Sequence, residues 1–95
     1  MKIVSRPQLH IDPELISICI EIEKENKSDV EWSEVESSGM FQSDKYCGGY
    51  DSIEQSFWFS YYDQNKKEWW FEINTADLKK IISGQLQYLD LYEPN

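Results

Sequence analysis

Ser56–Asn74, SFWFSYYDQNKKEWWFEIN, decides the fold. Residues 56–62 and 68–74 are two runs rich in Phe, Trp, Tyr and Ile, separated by the polar residues Asp63, Gln64, Asn65, Lys66 and Lys67. Aromatic and β-branched side chains suit a pleated, half-buried surface, and a short polar break between two such runs predicts a hairpin. Strand side chains alternate between faces. Phe57, Phe59 and Tyr61 therefore share one face with Trp69, Phe71 and Ile73, which is apolar throughout and belongs against a core. The other face carries Ser56, Trp58, Ser60 and Tyr62 on the first strand and Glu68, Trp70, Glu72 and Asn74 on the second. Aromatic and acidic groups are mixed there. In one reading this face is a binding surface; in the other, a helix covers it and Trp58 and Trp70 become core.

Working outward, Met40, Phe41, Tyr46 and Cys47 predict a strand over about 40–47 that turns at Gly48-Gly49 toward the hairpin. The glycine pair marks a tight turn or a close approach of backbones. The result is a three-stranded antiparallel meander, about the minimum for a stable sheet. Asp12-Pro13-Glu14 is a helix start: a capping oxygen, a proline that needs no donor, and an acid near the positive end of the dipole. A helix over 13–26 places Leu15, Ile18, Cys19 and Ile22 on one face. The alternation of Ile16, Ile18, Ile20 and Ile22 with polar residues fits a strand about as well. The cap and the length of the segment favour the helix. A second helix over 75–83 is capped by Asn74 or Thr75, buries Leu78, Ile81 and Ile82, and stops at Gly84.

Met1–Ser5 reads as a short edge strand, residues 26–39 as a polar stretch that is either a short helix ending before Gly39 or a loop, and 85–92 as a last strand or an apolar strap. The expected fold is α+β, a small antiparallel sheet of three to four strands, with the hairpin 56–62/68–74 at its centre, packed on one or two helices in a single domain.

The 95 residues include four Trp, six Tyr and four Phe, enough large side chains for one core. No apolar run approaches the roughly 20 residues that a transmembrane helix needs. Neither a secretory signal nor a disulfide framework is visible, since Cys19 and Cys47 sit in unlike surroundings. The expected setting is a reducing cytoplasm.

Charge is the strongest global signal, 18 acidic against 9 basic residues for a formal −9. Residues 12–54 hold 12 acids and three lysines, so they alone carry 3 − 12 = −9, and the ends cancel. Such a field repels phosphate backbones and anionic membranes and speeds encounter with a basic partner. Solubility alone is the competing explanation.

Catalytic chemistry lacks material. His10 is the sole histidine, no nucleophile motif surrounds Cys19, Cys47 or a serine, and a Cys47–His10 pair has nothing beyond its residue types to support it. Two distant cysteines and one histidine do not make a zinc site, and 63–68 lacks the turn glycine of a calcium loop. Asp12 with Glu25-Asn26-Lys27 has the acids of a metal nuclease without its basic groove. Gly48-Gly49 lacks the spacing of a phosphate loop. No cofactor or metal is expected.

The expected function is non-enzymatic: a small acidic protein that neutralises or regulates a basic protein, such as a toxin or nuclease acting on nucleic acid. In size, charge and compactness it is comparable, as a class and without a shared motif, to bacterial immunity proteins and phage-encoded inhibitors. The expected partner-binding residues are Glu31, Trp32, Glu34, Glu36, Asp44, Asp51, Trp58, Tyr62, Glu68, Trp70 and Glu72. Acids steer and aromatics dock. Direct binding to nucleic acid or membrane is not expected, and both monomer and homodimer are compatible with an aromatic strand edge. The alternative is an accessory or ligand-binding domain of a larger bacterial system, with a pocket near Tyr46, Tyr50 and Trp58.

Overall fold

A computed structural model describes residues 7–25, 41–51 and 53–94. The edge strand expected over 1–5 and the short helix expected before Gly39 lie outside them. The described elements run β1 (Gln8–His10), α1 (Pro13–Glu25), β2 (Phe41–Gln42), β3 (Tyr46–Asp51), β4 (Ser56–Tyr62), β5 (Glu68–Ile73), α2 (Thr75–Ile82) and β6 (Tyr88–Asp90). The fold is α+β, with an antiparallel sheet in the order β2-β3-β4-β5 and a two-stranded sheet of β1 and β6.

The β4–β5 hairpin sets Phe57 opposite Ile73, Phe59 opposite Phe71 and Tyr61 opposite Trp69. The Phe59 and Phe71 rings stack with centroids 5.4 Å apart. Its turn is built without glycine. Asp63 accepts from the backbone N–H of Asn65 at 2.8 Å and of Lys67 at 3.0 Å, and from Trp69 Nε1 at 3.0 Å. These bonds hold Lys66 at a φ of 63°, a left-handed conformation that costs energy outside glycine. The Trp69 bond first, then the Lys67 N–H, keep the Asp63 carboxyl below its ordinary range.

The two helices cover one face of the four-stranded sheet. Leu15, Ile18, Cys19 and Ile22 of α1 and Leu78 and Ile81 of α2 form one buried cluster with Tyr46, Phe57, Phe59, Phe71 and Ile73. That cluster decides between the two periods in 13–26. A helix brings Leu15, Ile18, Cys19 and Ile22 to the core together and leaves Ile20 38% exposed, so tertiary burial outweighs the β-branched alternation. The Asp12 carboxylate caps α1 by accepting from Leu15 N–H at 2.9 Å. Its other oxygen pairs with Lys45 Nζ, tying the helix start to the β2–β3 turn. Asn74 caps α2 through Asp77 N–H at 2.9 Å, and Gly84 ends it at a φ of 83°.

The expected strand over 40–47 with a turn at the glycines needs correction. The chain turns earlier, where Ser43 N–H donates to Tyr46 O at 2.8 Å, and Gly48 and Gly49 lie inside β3, opposite Phe59 and Trp58. A Cβ on Gly48 would stand 2.2 Å from Trp58 O and 2.7 Å from Phe59 Cα. Close approach of β3 and β4, the second meaning of a glycine pair, is the one realised. The turn into β4 is made by Asp51, whose carboxylate accepts from the N–H of Ile53 at 2.9 Å and of Glu54 at 3.2 Å. Gln55, at a φ of 57°, closes it.

The C-terminal stretch is both strand and strap. Leu89 is buried opposite Leu9, and Tyr92 exchanges two backbone hydrogen bonds of 2.8 Å with Trp70, which carries the chain along the free side of β5.

Candidate functional site

Register places Cys47, Gly49 and Asp51 of β3, Ser56, Trp58, Ser60 and Tyr62 of β4, and Glu68, Trp70 and Glu72 of β5 on the face turned away from the helices. Among the described residues no helix packs on it. Trp58 is half-buried, with its ring edge-on to Tyr92 at 5.9 Å, while Trp70 is 37% and Tyr62 49% exposed. The reading that makes both tryptophans core is therefore not the arrangement found. The Trp58 indole N–H is buried and has no hydrogen-bond partner among the described residues.

The acids on this face are held in place. Glu68 Oε2 accepts from Ser60 Oγ and from Trp70 Nε1, both at 2.9 Å, and Glu72 Oε2 accepts from Ser56 Oγ at 2.6 Å. Each bond uses Oε2, and acceptor capacity remains on both groups, since a carboxylate has about four acceptor sites. None of the ten face residues is a lysine or arginine. Two lysines of the adjoining turns are engaged elsewhere. Lys67 pairs with Glu93 at 2.9 Å and lies over the Trp69 ring at 4.1 Å, and Lys45 pairs with Asp12.

Above β3 and β4 the face sinks into an open groove of about 840 Å³. It is lined by Gly48 and Gly49 of β3, Trp58 and Ser60 of β4, Trp70 of β5, and Asp51, Ile53 and Glu54 at the β3–β4 turn. Ile53 stands at the rim, 90% exposed. A strand residue without a side chain, beside a large ring, leaves the space that two ordinary side chains would fill.

The sequence-predicted residues separate accordingly. Asp51, Trp58, Tyr62, Glu68, Trp70 and Glu72 share the face, Asp44 is exposed at the β2–β3 turn, and Glu31, Trp32, Glu34 and Glu36 lie outside the described residues. Asp51 has the added task of shaping its own turn. The pocket expected near Tyr46, Tyr50 and Trp58 does not gather all three, because Tyr46 is core on the opposite face and only 1% exposed. Sequence reasoning missed Cys47, Gly49, Ile53, Glu54 and Tyr92. Their signal was register: once β3 is known to run through the glycines, Cys47, Gly49 and Asp51 fall beside Ser60, Trp58 and Ser56.

Nucleophile chemistry gains no geometry. The His10 ring packs on Tyr88 at 5.1 Å, Cys47 Sγ lies 3.9 Å from Gln42 Oε1, and burial pushes the Cys19 thiol up to about 12. Among the described residues no group of three or more His, Cys, Asp or Glu could hold a metal ion, and no helix is long and apolar enough to cross a membrane. No protein-family profile, curated protein or solved structure matches the chain.

Proposed function

We propose that the protein is a non-enzymatic binder that neutralises or regulates a basic, nucleic-acid-acting protein by laying the outer face of its sheet over the partner's basic cleft. The observation that carries this reading is a sheet face with two tryptophans and a tyrosine, acids pinned by serines, no cation of its own, and no helix on it among the described residues. Large rigid aromatics are the residue types that dominate binding energy, and fixed carboxylates beside them select Lys and Arg. The net charge of −9 supplies long-range attraction.

The test begins with capture of a partner from the native host's lysate by tagged wild type and by the variant Glu68→Gln/Trp70→Ala/Glu72→Gln. A basic protein held in stoichiometric amount by the wild type and lost from the variant supports the reading, provided that the purified pair blocks the partner's binding to nucleic acid. Association should slow steeply between low and physiological salt, because exposed charges are screened beyond about 8 Å at 0.15 M. A partner held equally by both proteins, or one whose nucleic-acid binding survives, would overturn it.

A further inference from the structure

We infer that the groove over Gly48 and Gly49 is a socket for an arginine side chain of the basic partner; this rests on the proposed function and specifies the contact on which it turns. The aromatic walls come first. Trp58 and Trp70 are diagonal neighbours on adjacent strands, Trp58 standing opposite Glu72 and Trp70 opposite Ser60. A planar cation entering between them can lie on an indole face. The chain itself makes a contact of this type on its other side, with Lys67 over Trp69 at 4.1 Å.

The floor comes second. Gly49 is the residue of β3 opposite Trp58, and a side chain there would stand where the entering chain must pass. The far end of the groove carries the acceptors. Asp51 spends one oxygen, Oδ1, on the turn N–H groups, and Glu54 is exposed at the same turn. Exposed Ile53 offers apolar surface to the methylene stem. Guanidinium suits such a place better than ammonium. It is planar, stacks on rings, is more weakly hydrated, and presents a fork of donors that matches a carboxylate.

A short blocked peptide alternating glycine and arginine, and its lysine counterpart, test the socket by NMR titration of the intact protein at low ionic strength. The arginine peptide should bind at least about 5-fold more tightly than the lysine peptide, as a stacking contribution near 1 kcal/mol requires. It should shift the indole N–H resonances of Trp58 and Trp70 before that of Trp69. Gly49→Val, which fills the groove with a residue that favours strands, should abolish the preference for arginine. Trp70→Ala, a surface truncation, provides the same test should the valine disturb the sheet. Equal binding of both peptides, without the Trp58 and Trp70 shifts, would overturn the socket while leaving a general acidic binding face standing. Failure of both peptides to bind would overturn the two together. Shifts of these resonances with the protein's own concentration, in the absence of peptide, would place a second copy in the groove and overturn the arginine assignment.

Discussion

The two faces of the four-stranded sheet come from alternate residues of the same strands, yet only one of them carries the helices. The inner face of β4 and β5 sets Phe57, Phe59 and Tyr61 against Ile73, Phe71 and Trp69. The outer face sets Trp58, Ser60 and Tyr62 against Glu72, Trp70 and Glu68. Both are aromatic. What separates them is the cross-strand partner: apolar opposite apolar on the inner face, and acid or serine next to each outer aromatic. A carboxylate is rarely buried unpaired, so acids in alternate positions keep the helices on the other side.

The largest effect that bears on this contrast is expected at Phe59, 2% exposed and stacked on Phe71. Phe59→Ala should cost about 3–5 kcal/mol by chemical denaturation, the usual loss for a buried aromatic. Gly48 comes next. Adding a methyl to a packed interior costs typically about 1–3 kcal/mol, and here the obstacle is Trp58 O and Phe59 Cα, backbone that no rotamer change can move aside. Gly48→Ala should therefore fall at or above the upper end of that range and weaken β3–β4 pairing, seen as faster amide exchange at the pairs from Tyr46↔Tyr61 to Asp51↔Ser56. A turn glycine would give neither result.

Asp12 lies at the join of helix and sheet and should have a smaller effect. Burial raises its carboxyl, but Lys45 and the Leu15 N–H outweigh that and hold it below the ordinary value of 3.8. A carboxyl depressed on folding contributes stability that is fully present above its unfolded value and is lost as pH falls through the folded one. Asp12→Ala removes cap and charge and should cost about 1 kcal/mol at neutral pH. Asp12→Asn keeps a capping oxygen but loses the charge that pairs with Lys45, so it should lose less than Asp12→Ala at neutral pH and then less further stability as pH falls below about 4. If both variants lose stability equally at neutral pH, the Lys45 pair matters more than the cap.

Much of this is legible in the sequence. The hairpin showed because Ser56–Asn74 alternates cleanly over two strands, and both helix starts showed because Asp12 and Asn74 carry capping oxygens just before apolar residues of helical spacing. Gly48-Gly49 was not legible as strand, because a glycine reports a need for space or freedom without saying which neighbour imposes it. The groove was hidden for the same reason. It exists where Gly49 meets Trp58 across two strands and where the Asp51 turn sets Ile53 and Glu54 at the rim, and neither relation is local in sequence. The exposure of the outer face was ambiguous because composition permits a helix on either side; the alternation of acids with aromatics was the available clue.

The smallest stability effect is expected at Trp70, and it puts the contrast to its hardest test. Trp70 is a large aromatic in a strand between Trp69 and Phe71, so a reading by residue type alone would give it a core residue's cost. The residue is 37% exposed and its indole N–H serves Glu68, so Trp70→Ala removes partly solvated surface and frees an acid that water can satisfy. The loss of stability should be below about 1 kcal/mol, the range of ordinary surface changes. Affinity for a basic partner of the kind proposed should fall about 30-fold or more, as truncation of a hot-spot tryptophan does. A stability loss close to that of Phe59→Ala would make the outer face a second core, and the distinction drawn from the cross-strand acids would fail. Unchanged stability with unchanged affinity would keep the face solvated but move binding off the groove, leaving the carboxylates at Glu68 and Glu72 as the part of the surface that a partner reads.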